Sequence, residues 1–287
     1  MPIAKPELIS LHGGHSGVFC SHAEGTLEET VRAYIERGFR RVGITEHMPP
    51  VSDRYLFPEE IAAGLDAAAV YRRFARYMMV GRELRKKYAS SLTIYLGFET
   101  ESFSGYRMAV RGLVKTFRPD YIVGSVHHVG EIPFDYSPER YGEAAVRAGG
   151  LDGLYCRYFD LQFEMINALR PAVVGHLDLI RIFDPDYRGR LGRPAIGSRL
   201  RRNLDRIGEL GLILDCDCRE LPEGGEPYPC RPILEAAREK GIDVVPGDDS
   251  HCAATAGQGI KEGIALLEEL GFDTGWRSPV ALHIEQG

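Results

Sequence analysis

Seven short apolar runs punctuate the 287-residue chain, and each closes on a histidine or an acid. They are ELISLH (7–12), RVGITEH (41–47), LTIYLGFE (92–99), DYIVGSVHH (120–128), AVVGHLD (172–178), LILDCD (212–217) and DVVPGDDSH (243–251). Their hydrophobicity is continuous rather than alternating, as in parallel strands buried on both faces. Helical patterns separate them. TLEETVRAYIERG opens on a capping box, Thr26 to Glu29, and stops at Gly38. Residues 58–88 open on Pro58-Glu59-Glu60 and read as helix to Tyr88, with Gly81 a candidate break. Further patterns cover 158–169, 197–210, 231–240 and 255–271, while 129–153 reads as a loop region with a short helix. Strands and helices alternate without a Pro/Gly/Ser linker. That predicts one α/β domain over 1–287, a TIM-barrel-like (β/α) barrel.

In a parallel barrel the strand C-termini share one face, where active sites form. Seven of the nine histidines fall at strand ends or in the glycine-rich loop after the first strand: His12, His15, His22, His47, His127, His176 and His251. A single strand-end histidine is ordinarily a hydrogen-bonded residue with no chemistry. Seven converging on one mouth with Glu99 and Asp249 match the ligands of zinc, manganese and iron. Nine candidate ligands exceed the needs of one ion, so the set predicts two to three divalent transition metals (Zn, Mn or Fe). Such clusters bind phosphate esters and generate hydroxide near neutral pH.

The formal net charge of −6 argues against a nucleic-acid tail or a polybasic membrane anchor. No apolar run approaches a membrane span, and Lys5, Glu7 and His12 interrupt any signal-peptide core. Six cysteines without a disulfide-scaffold spacing predict free thiols and a cytoplasmic protein. The expected partner is a small phosphorylated molecule; the sequence leaves the oligomeric state open. TAGQGIKE fails the G-x-G-x-x-G pattern, and the 10–26 loop lacks the lysine and spacing of a P-loop.

His12 and His15, CSHA with His22, TEHMPP with His47, GFE with Glu99, GSVHHVGEIPFD with His127, GHLDLI with His176 and DDSH with Asp249 and His251 together resemble the polymerase-and-histidinol-phosphatase (PHP) superfamily. Within it, the wording is most similar to the histidinol-phosphatase branch. The resemblance covers nearly the whole chain. It implies a distorted seven-stranded β/α barrel with a trinuclear site at the C-terminal rim. It also implies three metal positions: His12, His15, Glu99 and Asp249; Glu99, His127 and His176; and His22, His47 and His251, with Glu99 as the bridge. One departure is His12-Gly13-Gly14-His15, where the family writes H-x-H; an added glycine is absorbed by a bulge or a left-handed turn. Another is DCDCRELPEGG after the sixth strand, where the family commonly has Asn-Thr-Ser-Gly.

The resemblance implies a phosphomonoesterase that hydrolyses L-histidinol phosphate by attack of a metal-bound hydroxide. Glu99, Asp249 and His251 are its candidate catalytic residues, with Asp249 or His251 the candidate proton donor. Its rivals are a phosphoesterase of nucleotides or oligonucleotide ends, and a metal-dependent binding or regulatory module. Arg181 and Arg219, after strands five and six, are candidates for substrate binding. Glu46 and Asp178 are placed to orient neighbouring ligands. His128 should face away from His127 and pack; His283 reads as structural or solvated, and Cys216 and Cys218 as inert. Asp53, Glu101, Asp135 and Asp217 could meet the amine of histidinol, and Tyr55, Phe103 and Tyr106 could cover its imidazole.

Overall fold

The computed structural model describes residues 6–279; His283, like Lys5, lies outside the described residues. The elements are, in order, β1 (Ile9–Ser10), α1 (Leu27–Glu36), β2 (Arg41–Ile44), α2 (Pro58–Ala62), α3 (Ala67–Lys87), β3 (Thr93–Leu96), α4 (Tyr106–Phe117), β4 (Val123–Gly124), β5 (His128–Val129) and β6 (Ile132–Pro133). There follow α5 (Pro138–Arg147), α6 (Leu151–Leu169), β7 (Val173–Val174), α7 (Tyr187–Leu191), α8 (Pro194–Leu210), β8 (Ile213–Asp217), α9 (Arg231–Glu239), β9 (Val244–Gly247) and α10 (Ile260–Glu269).

Seven of these strands are parallel, in the seven predicted runs. They form one sheet ordered β1-β2-β3 and another ordered β4-β7-β8-β9. The expectation is a distorted seven-stranded barrel; the parallel strands lie in two sheets that are not closed into one ladder. Between them run the Glu99–Val123 bridge and a hydrogen bond from the Asp120 N–H to the Leu96 carbonyl (2.8 Å), and on the far side the Leu11 N–H donates to the Pro246 carbonyl at 3.1 Å. Each run is also shorter as a strand than its sequence suggests. Except in β8, which pairs to Asp217, the final residues leave the ladder, and Thr45 N–H, for example, bonds to the Gly13 carbonyl (3.0 Å).

Local chemistry explains the helices. The capping box at Thr26 is present: Glu29 N–H donates to Thr26 Oγ1 at 3.3 Å, and Thr26 N–H donates to Glu29 Oε2 at 2.7 Å. The long pattern at 58–88 breaks at 63–66, where Asp66 caps α3, and not at Gly81. Gly81 instead lets α3 close on the sheet, since a Cβ there would sit 2.4 Å from Leu96 Cδ1. Helix α4 went unread because it starts at Gly105, which offers no side-chain cap. The 129–153 region holds the β5–β6 hairpin, turned through positive φ at Gly130 and Glu131, then all of α5 and the start of α6.

Buried tyrosines tie the layers together by donating to backbone carbonyls. Tyr77 bonds Ile44 (2.8 Å) and Gly97 (2.6 Å), fixing α3 to β2 and β3. Tyr121 bonds Leu11 at 2.5 Å, passing over Gly43, where a Cβ would come within 1.9 Å of that hydroxyl. No helix among the described residues is long and apolar enough to cross a membrane.

Gly43→Ala should therefore cost about 1–3 kcal/mol of stability through overpacking. Gly112→Ala, on the exposed face of α4 with open space around it, should add about 0.5–1 kcal/mol. Denaturant melts of the two variants check the contrast.

Candidate metal centre

The loop after β1 is built to aim two histidines inward. Gly13 and Gly14 have φ of 139° and 77°, so the extra glycine of His12-Gly13-Gly14-His15 is absorbed by backbone that L side chains rarely adopt. There is no room for a side chain either: a Cβ at Gly13 would meet Asp248 Oδ1 at 2.4 Å, and one at Gly14 would meet Ile44 Cδ1 at 2.6 Å. Both His12 and His15 consequently reach the cluster, fully buried. Across from them, the N–H groups of Asp248 and Asp249 donate to the His12 carbonyl, and Asp249 itself has φ of 41°. A non-glycine residue held there signals strain retained at a functional position.

Glu99 sits at the centre, buried, with four imidazoles around its carboxylate. Its Oε1 lies 3.2 Å from His12 Nε2, 3.2 Å from His127 Nε2 and 2.9 Å from His176 Nε2, while Oε2 lies 3.2 Å from His47 Nδ1. Four sets of side chains bring potential ligand atoms within 4.8 Å of one another. Two coincide with sets that the resemblance implies: His12, His15, Glu99 and Asp249, and Glu99, His127 and His176. The third differs. His47 and His251 group with His15 and Cys20, whereas His22 stands beside them, its ring centroid 5.2 Å from His47 and 5.0 Å from His251, its Nε2 3.2 Å from Cys20 Sγ. The fourth set, His47, Glu101 and His127, places Glu101, a substrate-contact candidate in the sequence, among the potential ligands.

The spacing suits metal ions. Two nitrogens bound to one tetrahedral ion at about 2.0–2.1 Å lie about 3.3 Å apart, and His127 Nε2 and His176 Nε2 are 3.3 Å apart. His12 Nε2, His15 Nε2 and Asp249 Oδ1 are buried with no hydrogen-bond partner, a costly state that a shared cation would relieve. On three of the rings the second nitrogen is occupied. His12 Nδ1 meets Asp215 Oδ2 at 2.8 Å, His127 Nδ1 meets Glu101 Oε2 at 3.0 Å, and His251 Nδ1 donates to the Asp249 carbonyl at 2.8 Å. Such partners fix the ring and leave Nε2 for a metal. Glu46 does orient a histidine, but it is His15 (3.4 Å), not the adjacent His47. Asp178 turns away, to Arg181 Nε (3.1 Å) and Cys230 N–H (3.0 Å).

Charge in the cluster is mutually supported. Burial alone would raise the Glu99 carboxyl, but the imidazoles of His12 and His127 hold it well below the usual carboxylate range. Burial would lower His15; Asp249 and Glu46 overcome this and raise it to about 9. Metals entering the site must therefore displace protons.

A cavity of about 610 Å³ opens over the cluster, walled by Phe57, Glu59, Asp135, Tyr136 and Leu179, with Arg219 beside Asp249. Arg219 Nη1 is 2.5 Å from Asp249 Oδ2 and Nε is 2.8 Å from Asp217 Oδ2, while Nη2 is buried without a partner. Arg181 does not line this cavity. It is spent on Asp178, on the Glu226 and Pro227 carbonyls, and on stacking 3.9 Å over the Tyr228 ring. Asp53 accepts from the Ala67 N–H on an outer surface, and Asp217 is taken by Arg219. Tyr55 and Phe103 stack on each other 4.6 Å apart behind His128, and Tyr106 starts α4. Of the predicted substrate contacts in these loops, only Glu101 and Asp135 line the cavity. Phe57, Glu59 and Tyr136 were missed, because Pro58-Glu59-Glu60 was read only as a helix start. Cys216 and Cys218 are buried, with Cys218 Sγ donating to the Cys216 carbonyl (3.0 Å).

His128 is absent from every ligand set, in line with a packing position, although it is not fully turned away: its Nδ1 lies 3.2 Å from the same Glu101 oxygen that His127 meets. His128→Ala should therefore keep the metal content of the native protein, whereas His127→Ala should lose part of it, as read by elemental analysis. Equal losses would overturn the assignment. Glu99→Gln, which removes charge beside four imidazoles, should lower both metal content and turnover. The expected loss of turnover exceeds the ten- to hundredfold, roughly, that outer partners cost. Circular dichroism should show the fold retained.

A family model described as the PHP domain matches residues 12–217. The probable histidinol-phosphatase of Schizosaccharomyces pombe is 32% identical over 269 residues, covering 92% of this chain and 87% of that protein. A crystal structure of the "putative histidinol phosphatase" of Listeria monocytogenes superposes with a TM-score of 0.77 at 26% identity, over 88% of this chain and 99% of that one. The histidinol phosphate phosphatase of Lactococcus lactis, solved with zinc, L-histidinol and phosphate, shares the fold with a TM-score of 0.70 at 18% identity, over 93% of this chain and 95% of that one. With its ordered histidine motifs brought to one buried cluster and the family model spanning most of its length, the chain belongs to the PHP domain family.

Proposed function

We propose that this protein is a metal-dependent phosphomonoesterase that hydrolyses L-histidinol phosphate to L-histidinol and phosphate. The observation that carries the reading is a buried carboxylate, Glu99, shared by two ligand sets at the floor of a cavity sized for a small ester. The naming of relatives as histidinol-phosphatases supports the substrate. The reading takes 1–287 as one domain whose seven parallel strands wall a distorted barrel, with seams at the Glu99–Val123 bridge and the Leu11–Pro246 hydrogen bond. Six unpaired cysteines support a reducing, cytoplasmic setting.

Two to three divalent ions (Zn, Mn or Fe) would be held by His12, His15, Glu99 and Asp249, by Glu99, His127 and His176, and by His22, His47 and His251. Cys20 stands next to the last set. Ions there supply Lewis-acid polarisation of the ester oxygens and water of lowered pKa. The chain's own residues do the rest. Arg219 turns its free Nη2 to a phosphate oxygen, while Nη1 stays paired with Asp249 and the guanidinium remains beside Asp217. Asp215 and Glu101 hold the rings of His12 and His127 in one orientation through the reaction. The ester P–O bond breaks as a water oxygen bonds phosphorus, and the proton that water gives up ends on the histidinol alkoxide.

Neither candidate proton donor stores a proton. Burial favours a protonated Asp249, but Arg219 and His12 outweigh it and keep the carboxyl ionised. Burial and the neighbouring His15 hold His251 neutral, as a ligand requires. Both act as electron-pair donors. The cavity wall also carries Glu59, Glu101 and Asp135, which repel the additional phosphates and favour a cationic substituent.

A panel assay on the metal-loaded enzyme tests the substrate. The kcat/KM for L-histidinol phosphate should exceed those for AMP, glycerol phosphate and a dinucleotide. A nucleotide preferred tenfold or more would overturn the substrate while leaving phosphoester hydrolysis in place.

A further inference from the structure

The cavity has two chemically distinct ends. One is the ligand cluster with Arg219, suited to a phosphate. The other is formed where α2 and the start of α5 approach, and there Glu59 lines the cavity. Its Oε1 accepts from the Tyr136 hydroxyl at 2.8 Å. Its Oε2 is buried and has no hydrogen-bond partner. The helix does not need this side chain, because the neighbouring Glu60 accepts the Phe57 N–H at 2.9 Å and so caps α2. Beside it, the Phe57 and Tyr136 rings pack 5.9 Å apart at 29°, and Phe57 also meets the His22 ring edge-on at 5.9 Å. An aromatic surface thus runs from the cluster to a lone carboxylate oxygen.

An unpartnered buried acceptor is expensive unless a ligand supplies the donor. A primary ammonium supplies charge as well as donors, and a flat ring beside it would lie on Phe57. We propose that Glu59, braced by Tyr136, is the specificity-determining acceptor for the substrate's ammonium group. The enzyme then selects phosphomonoesters that carry a cation a few bonds from the ester oxygen. This rests on the phosphomonoesterase reading above and assigns the part of the cavity that the metals cannot discriminate with.

The test compares two substrates in two enzymes: L-histidinol phosphate and its des-amino analogue, 3-(imidazol-4-yl)propyl phosphate. Native enzyme should prefer the amine at least tenfold in kcat/KM. Glu59→Gln should shrink that preference below threefold, chiefly by raising KM for the amine, with the analogue affected much less. Glu60→Gln, which loosens the helix cap only, should keep the native preference. Equal losses on both substrates in Glu59→Gln, or an unchanged preference, would overturn the assignment of Glu59. Native enzyme that hydrolyses AMP but neither imidazole ester would instead overturn the substrate reading itself.

Discussion

A single buried carboxylate with four imidazoles against it organises this protein. Glu99 leaves the end of β3 and is met by His12 from β1, His47 from beyond β2, His127 from beyond β4 and His176 from beyond β7. A carboxylate removed from water is costly unless paired. Here the imidazoles more than offset its desolvation, so it stays ionised. The same proximity keeps several rings charged when no metal is bound, which makes the cluster a site where cations and protons compete.

Much of the surrounding architecture follows from bringing those side chains to one point. Most of the strands stop pairing before the residues that turn inward, and on this side the two sheets meet at the Glu99–Val123 bridge. The glycines at 13 and 14 have positive φ and no space for a Cβ, since the loop must double back beneath Asp248 and Ile44. Two outer carboxylates, Asp215 and Glu101, then fix the rings of His12 and His127 by holding their second nitrogen, and Glu46 lies 3.4 Å from that of His15. Orientation is thus built into backbone and outer contacts, with little left for the ions to arrange.

The strand positions and most of the cluster were legible because both depend on local, short-period signals. Continuous apolar runs mark buried parallel strands, and a histidine or an acid at each C-terminus arrives at the same rim. What was not legible depends on long-range geometry. Glu46 orients His15, thirty-one positions away, in place of its neighbour His47, and nothing in the order TEH reveals it. Arg181 looks as free in sequence as Arg219, but its guanidinium is absorbed by Asp178 and the Tyr228 ring. Glu59 was hidden by its place in a plausible helix start. Helix α4 escaped because Gly105 gives no capping signal, even though Tyr106, Val110 and Leu113 share a buried face.

The central claim is that this cluster exists to hold more than one transition metal. Elemental analysis of protein purified without chelator tests it most directly. The account predicts more than one zinc, manganese or iron ion per chain. Protein that carries no transition metal, or a single weakly held magnesium, would contradict it.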